Sequence, residues 1–413
     1  MDFKINGGRT LDGKVRAESA KNSVLPIMAA AILADGQTVI KNCPAIADVV
    51  NMAKIIESCG VKTEFTGKNL IITPENSADG GFSKEISKSV RTSVLMLGAL
   101  SAKYGKAIIP YPGGCDIGGR PVDIHIKALK DLGANISEED GLIVCTEPVK
   151  GGKTVLSFPS VGATENAIIA ASAADGESVI IGAAKEPEIV DLAEFINLLG
   201  GEVEGAGTSV VRVRGVKRLF GREFTPSFDR IEAGTYLIAA AITGGEVEVK
   251  GVKPENISAL LAKLCDNTCK IKIKNDIIYI RGGRRRKAFS LTTGPYPSFP
   301  TDMQAQACAL AAVSGGVSVI KESVFRKRFH HVAELNNMGA KARLYGDTAE
   351  ITGVMKLHGA EVYAHDLRCG AALVLAGLNA EGTTLVKDIS HLERGYFRMD
   401  EKLAALGADI VRV

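Results

Sequence analysis

Several stretches of this 413-residue chain set thiol, cationic or carboxylate side chains at a glycine bend or a helix end, where they could do chemistry. The most pointed is IIPYPGGCDIGGRPVDIHIKAL, residues 108–129, in which four glycines surround Cys115 within seven residues and Arg120-Pro121 follows at once. It is neither G-x-G-x-x-G after a strand nor G-x-x-x-x-G-K-[ST], so the dinucleotide and P-loop readings fail. A glycine-rich bend would keep the Cys115 thiol exposed, whereas a structural cysteine sits in an apolar run, as Cys145 does in GLIVC. A thiol with an ordinary pKa of about 8.5 is a workable acid near neutral pH, and its thiolate is a nucleophile.

The other stretches supply charge. AESAKNSVLPIM puts Lys21 and Asn22 at the entry to a helix. Free amides at a helix start beside a lysine suit an anion, and a solvated Lys with a capping Asn fits the same residues. Arg91 in KSVRTSVLML opens an otherwise apolar helix, where its charge opposes the dipole; it serves a ligand or a surface ion pair. Asp302 in YPSFPTDMQAQ stands between a Pro-containing turn and a helix, as a helix-start acid would. AHDLRCGAALVLAG and HLERGYFRMDEKL add Asp366, Arg368 and Arg394, the last in an Arg-Gly pair that would form an oxyanion clamp or a surface salt bridge. The basic run RGGRRRKAF (281–289) reads as a solvated turn, and His330-His331 lacks a third metal ligand at short spacing.

The whole-chain balance narrows the partners. Lys plus Arg is 50 against 47 Asp plus Glu, a net charge of +3, too small to hold a long polyanion by counterion release. The N-terminal MDFKINGGRTLDG has no apolar signal region. The longest apolar run, Val24 to Ala34, is well short of a membrane span. Eight scattered cysteines with no C-x-x-C pair read as reduced thiols of a cytoplasmic protein, most of them small buried hydrophobes. No heptad or exposed apolar helix demands an oligomer, so a monomer is expected.

The elements that position these residues repeat. An Ala-rich helical stretch, a glycine and an alternating strand recur six times, with marker glycines Gly36, Gly105, Gly176, Gly245, Gly316 and Gly382. A helix end passing into a strand (ESCGVKTEF, KDLGANISE, NLLGGEVEG, KLCDNTCKIKI, NNMGAKARL, AALGADIVRV) keeps the same period of about 70 residues. Glycine after the last helical turn is expected in the left-handed conformation. Six units that must share cores group as two lobes of three around a cleft, with a seam near PSFDRIEAG (226–234).

Taken together, AKNSVLP, GGCDIGGRPVD, SVGATENA, KEPEIVD, DRIEAGT, FPTDMQAQ, DLR and RGY closely resemble the UDP-N-acetylglucosamine enolpyruvyl transferases, in order from Lys21 to Arg394. The resemblance implies an α/β fold, a two-lobed inside-out barrel of six repeats, with one lobe over 22–228 and the other over 1–21 plus 229–413. It implies transfer of the enolpyruvyl group of phosphoenolpyruvate to the sugar 3′-hydroxyl of UDP-N-acetylglucosamine with release of phosphate, without metal or organic cofactor. Cys115 would be the general acid and form a covalent phosphoenolpyruvate adduct. Lys21, Asn22, Arg120 and Arg394 would hold phosphate and carboxylate, and Arg91 would contact the sugar nucleotide. Arg120, Pro121, Val122, Asp123 and Ile124, then Ser160, Val161 and Gly162, would line the uridine and diphosphate pocket, with Val324 completing it. Asp302 would take the 3′-hydroxyl proton, and Asp366, Arg368 and Glu186 would bind or position.

Anionic substrates explain the cations, because charge-assisted bonds of roughly 1.5–3 kcal/mol each favour Lys and Arg, and Arg forks match planar carboxylate and phosphate. Two rival readings stand beside this one. A shikimate-pathway enolpyruvyl transferase shares the fold but lacks a cysteine loop like 113–120. A non-catalytic sugar-nucleotide-binding paralogue would show damage at 21, 115, 120, 302 or 394, and all five are intact.

Overall fold

The core helices are rich in Ala and mostly apolar around their circumference, which commits them to an interior rather than to a surface. The computed structural model describes residues 1–74, 81–113, 122–283 and 285–413. The described residues divide into two compact units: a terminal unit of Met1–Glu18 with Phe228–Val413, and a central unit of 19–113 with 122–227.

Each unit is three helix pairs. In the central unit these are α1 (Lys21–Ala31) and α2 (Ala47–Ser58), α3 (Leu95–Tyr104) and α4 (Asp123–Asp131), then α5 (Val161–Ala171) and α6 (Pro187–Leu198). In the terminal unit they are α7 (Arg230–Thr243) and α8 (Ser258–Asp266), α9 (Gln304–Ala312) and α10 (His330–Asn337), then α11 (Leu367–Asn379) and α12 (Met399–Ala405). The first helix of each pair forms the core: α1, α3 and α5 pack together, as do α7, α9 and α11. Every residue of α9 is buried, and α7 and α11 leave only Thr243 and Asn379 less than buried. In α1 and α5 the residues that escape burial are the first two, Lys21 with Asn22 and Val161 with Gly162.

One sheet design recurs around these cores. Strand 152–155 lies parallel on 177–181, which pairs antiparallel with 210–214, which pairs antiparallel with 202–204. Strands 12–16, 246–250, 277–281 and 270–274 repeat it, as do 290–292, 317–321, 348–352 and 341–345. Burial alternates along the strand that follows each core helix, as at Glu177–Ile181 and Thr383–Lys387, so one sheet face covers the helices. Both units close on themselves. Strand 223–224 returns parallel to 38–40, and the first strand, 3–6, inserts between 383–387 and 409–412. The ends of the chain are thereby hydrogen-bonded, Asp2 N to Val413 O and Val413 N to Asp2 O, both at 3.0 Å.

Four of the six marker glycines, Gly36, Gly105, Gly316 and Gly382, have φ between 77° and 114°. The other two answer to crowding instead: a Cβ on Gly176 or Gly245 would meet the Lys150 or Leu11 carbonyl at 2.9 or 2.3 Å, and Gly244 takes the left-handed cap. At the second marker Gly60, Gly133, Gly200, Gly339 and Gly407 are left-handed, and Thr268 occupies the same place at φ 78°. That threonine donates its Oγ1 hydrogen to Arg285 O at 2.9 Å.

The basic run at 281–289 departs from expectation. Arg286 does not belong to a solvated turn: it is half-buried and donates to Ala241 O and Ile242 O at the end of α7 and to Val313 O after α9. The carbonyls at a helix end outnumber its helical donors, and a guanidinium supplies several N–H groups to them at once. Among the described cysteines six are buried, and Cys265 is exposed. No helix among the described residues is long and apolar enough to cross a membrane.

Gly200 has φ 101° and open space where a Cβ would stand. Gly200→Ala should therefore cost about 1–2 kcal/mol through backbone conformation alone, seen as a lower denaturant midpoint. An unchanged midpoint would show that φ is not the constraint there.

Candidate active site

In the terminal unit the chemistry gathers on one carboxylate. Asp302 lies in a single 3-10 turn, Thr301–Met303, ahead of α9. It does not cap α9, as a helix-start acid would. Its Oδ1 accepts from Arg328 Nη1 at 2.8 Å and its Oδ2 from Arg368 Nη2 at 3.0 Å. Both arginines are buried, 5% and 4% exposed, while the Asp302 side chain keeps 25% of its surface. Two fixed guanidinium groups set the plane of a carboxylate whose edge still reaches solvent.

The surroundings explain why the arginines stay. Arg328 Nη1 also donates to Thr301 Oγ1 at 3.2 Å. Arg368 is the second residue of α11, whose N-cap is Asp366: its Oδ1 accepts from Arg368 N at 2.8 Å and Cys369 N at 3.0 Å. Burial pushes the Asp366 carboxyl up, but Arg328 and those two amides outweigh it and hold it below the usual carboxylate range. Burial works against the charge on Arg368 too, and Asp302, Tyr396 and Asp229 more than restore it. Val324 sits in a turn folded around buried Glu322, whose Oε1 accepts from Val324 N at 2.8 Å and Phe325 N at 3.0 Å. Arg394 is half-buried at the C-cap of the short helix Ser390–Glu393 rather than in an open loop.

The adjacent histidines part company. His331 is fully buried, with its pKa pushed down to about 3 chiefly by burial. His330 is exposed and lies 3.8 Å from Asp366. Among the described residues no group of three or more His, Cys, Asp or Glu is arranged to hold a metal ion.

The central unit carries a second cluster. Lys21 is the first residue of α1, whose N-cap, Ala20, offers no side chain. Lys21 Nζ lies 3.1 Å from Asp48 Oδ2, in the first turn of α2, and both side chains are nearly buried. Pro26 has no N–H to give the Asn22 carbonyl, so that carbonyl lacks the helical donor four residues on.

Arg91 begins a 3-10 turn, Arg91–Val94, that runs into α3, and burial lowers the pKa of its guanidinium. Beside it lies His125 of α4, wholly buried and pushed down to about 4, mainly by burial and then by the Arg91 charge. Asn166 of α5 donates from Nδ2 to Val94 O at 3.0 Å and faces His125 Nδ1 at 3.3 Å. A neutral imidazole that accepts at Nδ1 carries its proton on Nε2. That edge faces Gly162, where a Cβ would come within 3.2 Å of Nε2. His125 therefore joins the start of α4, with Val122, Asp123 and Ile124, to the start of α5, with Ser160, Val161 and Gly162. Ser160 caps α5 by accepting from Ala163 N at 3.3 Å.

Glu186, the N-cap residue of α6, stands near buried Glu165, whose carboxyl is raised well above the usual range by burial and then by Glu188 and Glu186. Cys115, Arg120 and Pro121 lie outside the described residues.

Sequence reasoning missed Asp48, His125, Glu322 and Arg328. Arg328 sits in RKR, where spacing alone does not say which cation turns inward. Lys21 and Asp48 are 27 residues apart on different helices. The signal for His125 was a lone polar ring on the buried side of an amphipathic helix.

The EPSP synthase family model, 3-phosphoshikimate 1-carboxyvinyltransferase, matches residues 5–403. The chain is 46% identical over 413 residues to UDP-N-acetylglucosamine 1-carboxyvinyltransferase 2 of Caldanaerobacter subterraneus, covering 100% of this chain and 99% of that protein. It is 46% identical over 419 residues to UDP-N-acetylglucosamine 1-carboxyvinyltransferase of Xylella fastidiosa, covering 99% of each. Among solved structures the enolpyruvyl transferase NikO from Streptomyces tendae superposes with a TM-score of 0.89 at 22% identity, covering 99% of this chain and 98% of that one. EPSP synthase from Acinetobacter baumannii superposes at 0.75 and 19% identity over 100% of both chains. Both likenesses establish the fold.

His125 makes the central unit sensitive to acid. The unfolded chain takes up the imidazole proton near pH 6.5 and the folded one near 4, so stability is lost as pH falls between them. Glu165 acts in the opposite sense, so the informative quantity is a difference between proteins. Wild type should lose about 3 kcal/mol more than His125→Gln on going from pH 7 to pH 4 in denaturant titrations. Parallel pH profiles would remove His125 as the cause.

Proposed function

This chain belongs to the EPSP synthase family of enolpyruvyl transferases, and from that premise we propose that it moves the enolpyruvyl group of phosphoenolpyruvate to the 3′-hydroxyl of UDP-N-acetylglucosamine, releasing phosphate, in peptidoglycan synthesis. The observation that carries this reading is identity of 46% along the whole chain with relatives named for that transfer. The shikimate alternative draws on the family name and on fold neighbours at about 20% identity, which speak to fold alone.

The reaction adds and then eliminates. The sugar oxygen bonds to C2 of phosphoenolpyruvate as C3 gains a proton. C3 then loses a proton as the C2–O bond to phosphate breaks. Cys115 supplies the proton to C3 and forms a covalent adduct at C2. Lys21, Asn22, Arg120 and Arg394 hold the phosphate and carboxylate. Lys21 needs little reorganisation, since Asp48 already orders its ammonium. Arg91, Val122 to Ile124, Ser160 to Gly162 and Val324 receive the sugar nucleotide, with helix-start amides facing its diphosphate. Asp302 accepts the 3′-hydroxyl proton, and its arginines aim it, which is worth more to the addition than strong basicity. The enzyme acts as a cytoplasmic monomer on two soluble substrates; the free thiols of its described cysteines fit a reducing compartment.

Phosphate release should require UDP-N-acetylglucosamine and stay at background with shikimate 3-phosphate or with neither acceptor. Release with shikimate 3-phosphate would reassign the enzyme, and none with either would favour the non-catalytic paralogue. Asp302→Asn should lower turnover by about 100-fold or more while calorimetry still detects nucleotide binding. Loss of binding alone would contradict its role. Cys115→Asp should retain an acid yet abolish covalent labelling by fosfomycin, and labelling that persists on another cysteine would undo the assignment.

A further inference from the structure

Three polar residues of the sequence signatures have no role in that mechanism: Thr235 at the end of DRIEAGT, Gln306 at the end of FPTDMQAQ and Tyr396 at the end of RGY. All three are buried, on α7, on α9 and just beyond the Ser390–Glu393 helix. They meet at one oxygen. Tyr396 Oη lies 2.9 Å from Thr235 Oγ1, 3.3 Å from Gln306 Nε2 and 3.2 Å from Arg368 Nη1.

The hydrogens in this cluster can be assigned by elimination. Thr235 Oγ1 is 2.8 Å from the Ile231 carbonyl, which can only accept, so the threonine hydrogen points there. Arg368 and the Gln306 amide nitrogen can only donate. The tyrosine hydrogen is left one acceptor, Thr235 Oγ1, and the lone pairs of Tyr396 Oη take Arg368 and Gln306. Gln306 Nε2 also donates to the Asp302 carbonyl at 3.0 Å. The network thus touches the Asp302 turn through its backbone and, by way of Arg368 Nη2, its carboxylate. Among the described residues Arg368 Nε has no hydrogen-bond partner. Its direction therefore rests on the two terminal nitrogens, one gripping Asp302 and the other held by the tyrosine.

We propose that the Tyr396 hydroxyl, oriented by Thr235 and Gln306, is a positioning group for the transfer: it fixes Arg368 so that the guanidinium aims the Asp302 carboxylate at the substrate hydroxyl. Tyr396 is 3% exposed and acts through Arg368 rather than on substrate. The inference rests on the proposed transfer reaction, because Asp302 has a hydroxyl to receive only there.

Tyr396→Phe keeps the ring, which lies against the Arg368 guanidinium with 5.7 Å from Cζ to ring centroid, and removes only the oxygen. Turnover measured as phosphate release should fall by about 10–100-fold, with KM for both substrates within about threefold of wild type. Thr235→Val, which deletes the acceptor that orients the tyrosine, should lower kcat in the same direction. Thr235→Ser, which keeps the hydroxyl, should restore it to within about twofold. Thermal midpoints followed in parallel separate this from unfolding, and if Tyr396→Phe does not fold, the valine and serine pair decides the matter. Three results each overturn the proposal: kcat near wild type in Tyr396→Phe, a loss confined to KM, or a serine variant as impaired as the valine one. A wild-type protein that releases no phosphate would instead overturn the functional reading and leave the hydrogen-bond network as a structural device.

Discussion

A helix that is apolar on all sides has no free face, and its ends are the places where it can meet a substrate. This constraint organises both units. Lys21 and Asn22 open α1, Arg91 precedes α3, and Ser160 to Gly162 open α5. Asp302 precedes α9, and Asp366 and Arg368 open α11. N-terminal turns are also where amide N–H groups lack helical partners and the helix dipole is positive. Five helices that start this way give anionic ligands a repeated set of receptors, and the cationic side chains add to a field the backbone already supplies.

The interior needed to hold those ends still carries small polar networks. In the terminal unit hydrogen bonds tie the first turns of α7, α9 and α11 together through Thr235, Gln306, Tyr396 and Arg368. In the central unit Asn166 and His125 do the same for α3, α4 and α5. In both cases the uncharged members outnumber the charged ones, so desolvation is small relative to the hydrogen bonds gained. Asp302 is the exception. Its charge stays partly in water while its two arginines do not.

Much of this was legible in the sequence, because periodicity is written locally. The six-fold recurrence predicted helices and strands shared three units to a lobe, and the reading of motifs singled out Asp302, Arg368 and Lys21, while Ser160 to Gly162 came from the family resemblance. Partners across long separations were not legible. Asp366 and Arg368 share the start of one helix, but nothing in DLR says that the arginine reaches 66 residues back to Asp302. The marker glycines show the same limit: Gly176 and Gly245 satisfy the repeat yet serve close approach, and Thr268 holds a left-handed position in the repeat that lacks a glycine. A polar residue inside a helix with no solvent face is itself a signal. Thr235 and Gln306 stand in such helices, and burial there obliges each to find a hydrogen-bond partner.

The strand at 3–6 lies between partners near residues 385 and 410. During translation that strand emerges long before its neighbours, so the sheet of the terminal unit stays open until strands 383–387 and 409–412 follow. The central unit is not held back in this way, since all its strands lie within 19–227. Synthesis at about 5–20 residues per second gives the central unit a head start of roughly ten seconds or more. For that interval the nascent protein holds a finished domain beside an unfinished one, and the Phe3 and Ile5 side chains that end in a core lack the strands that will cover them.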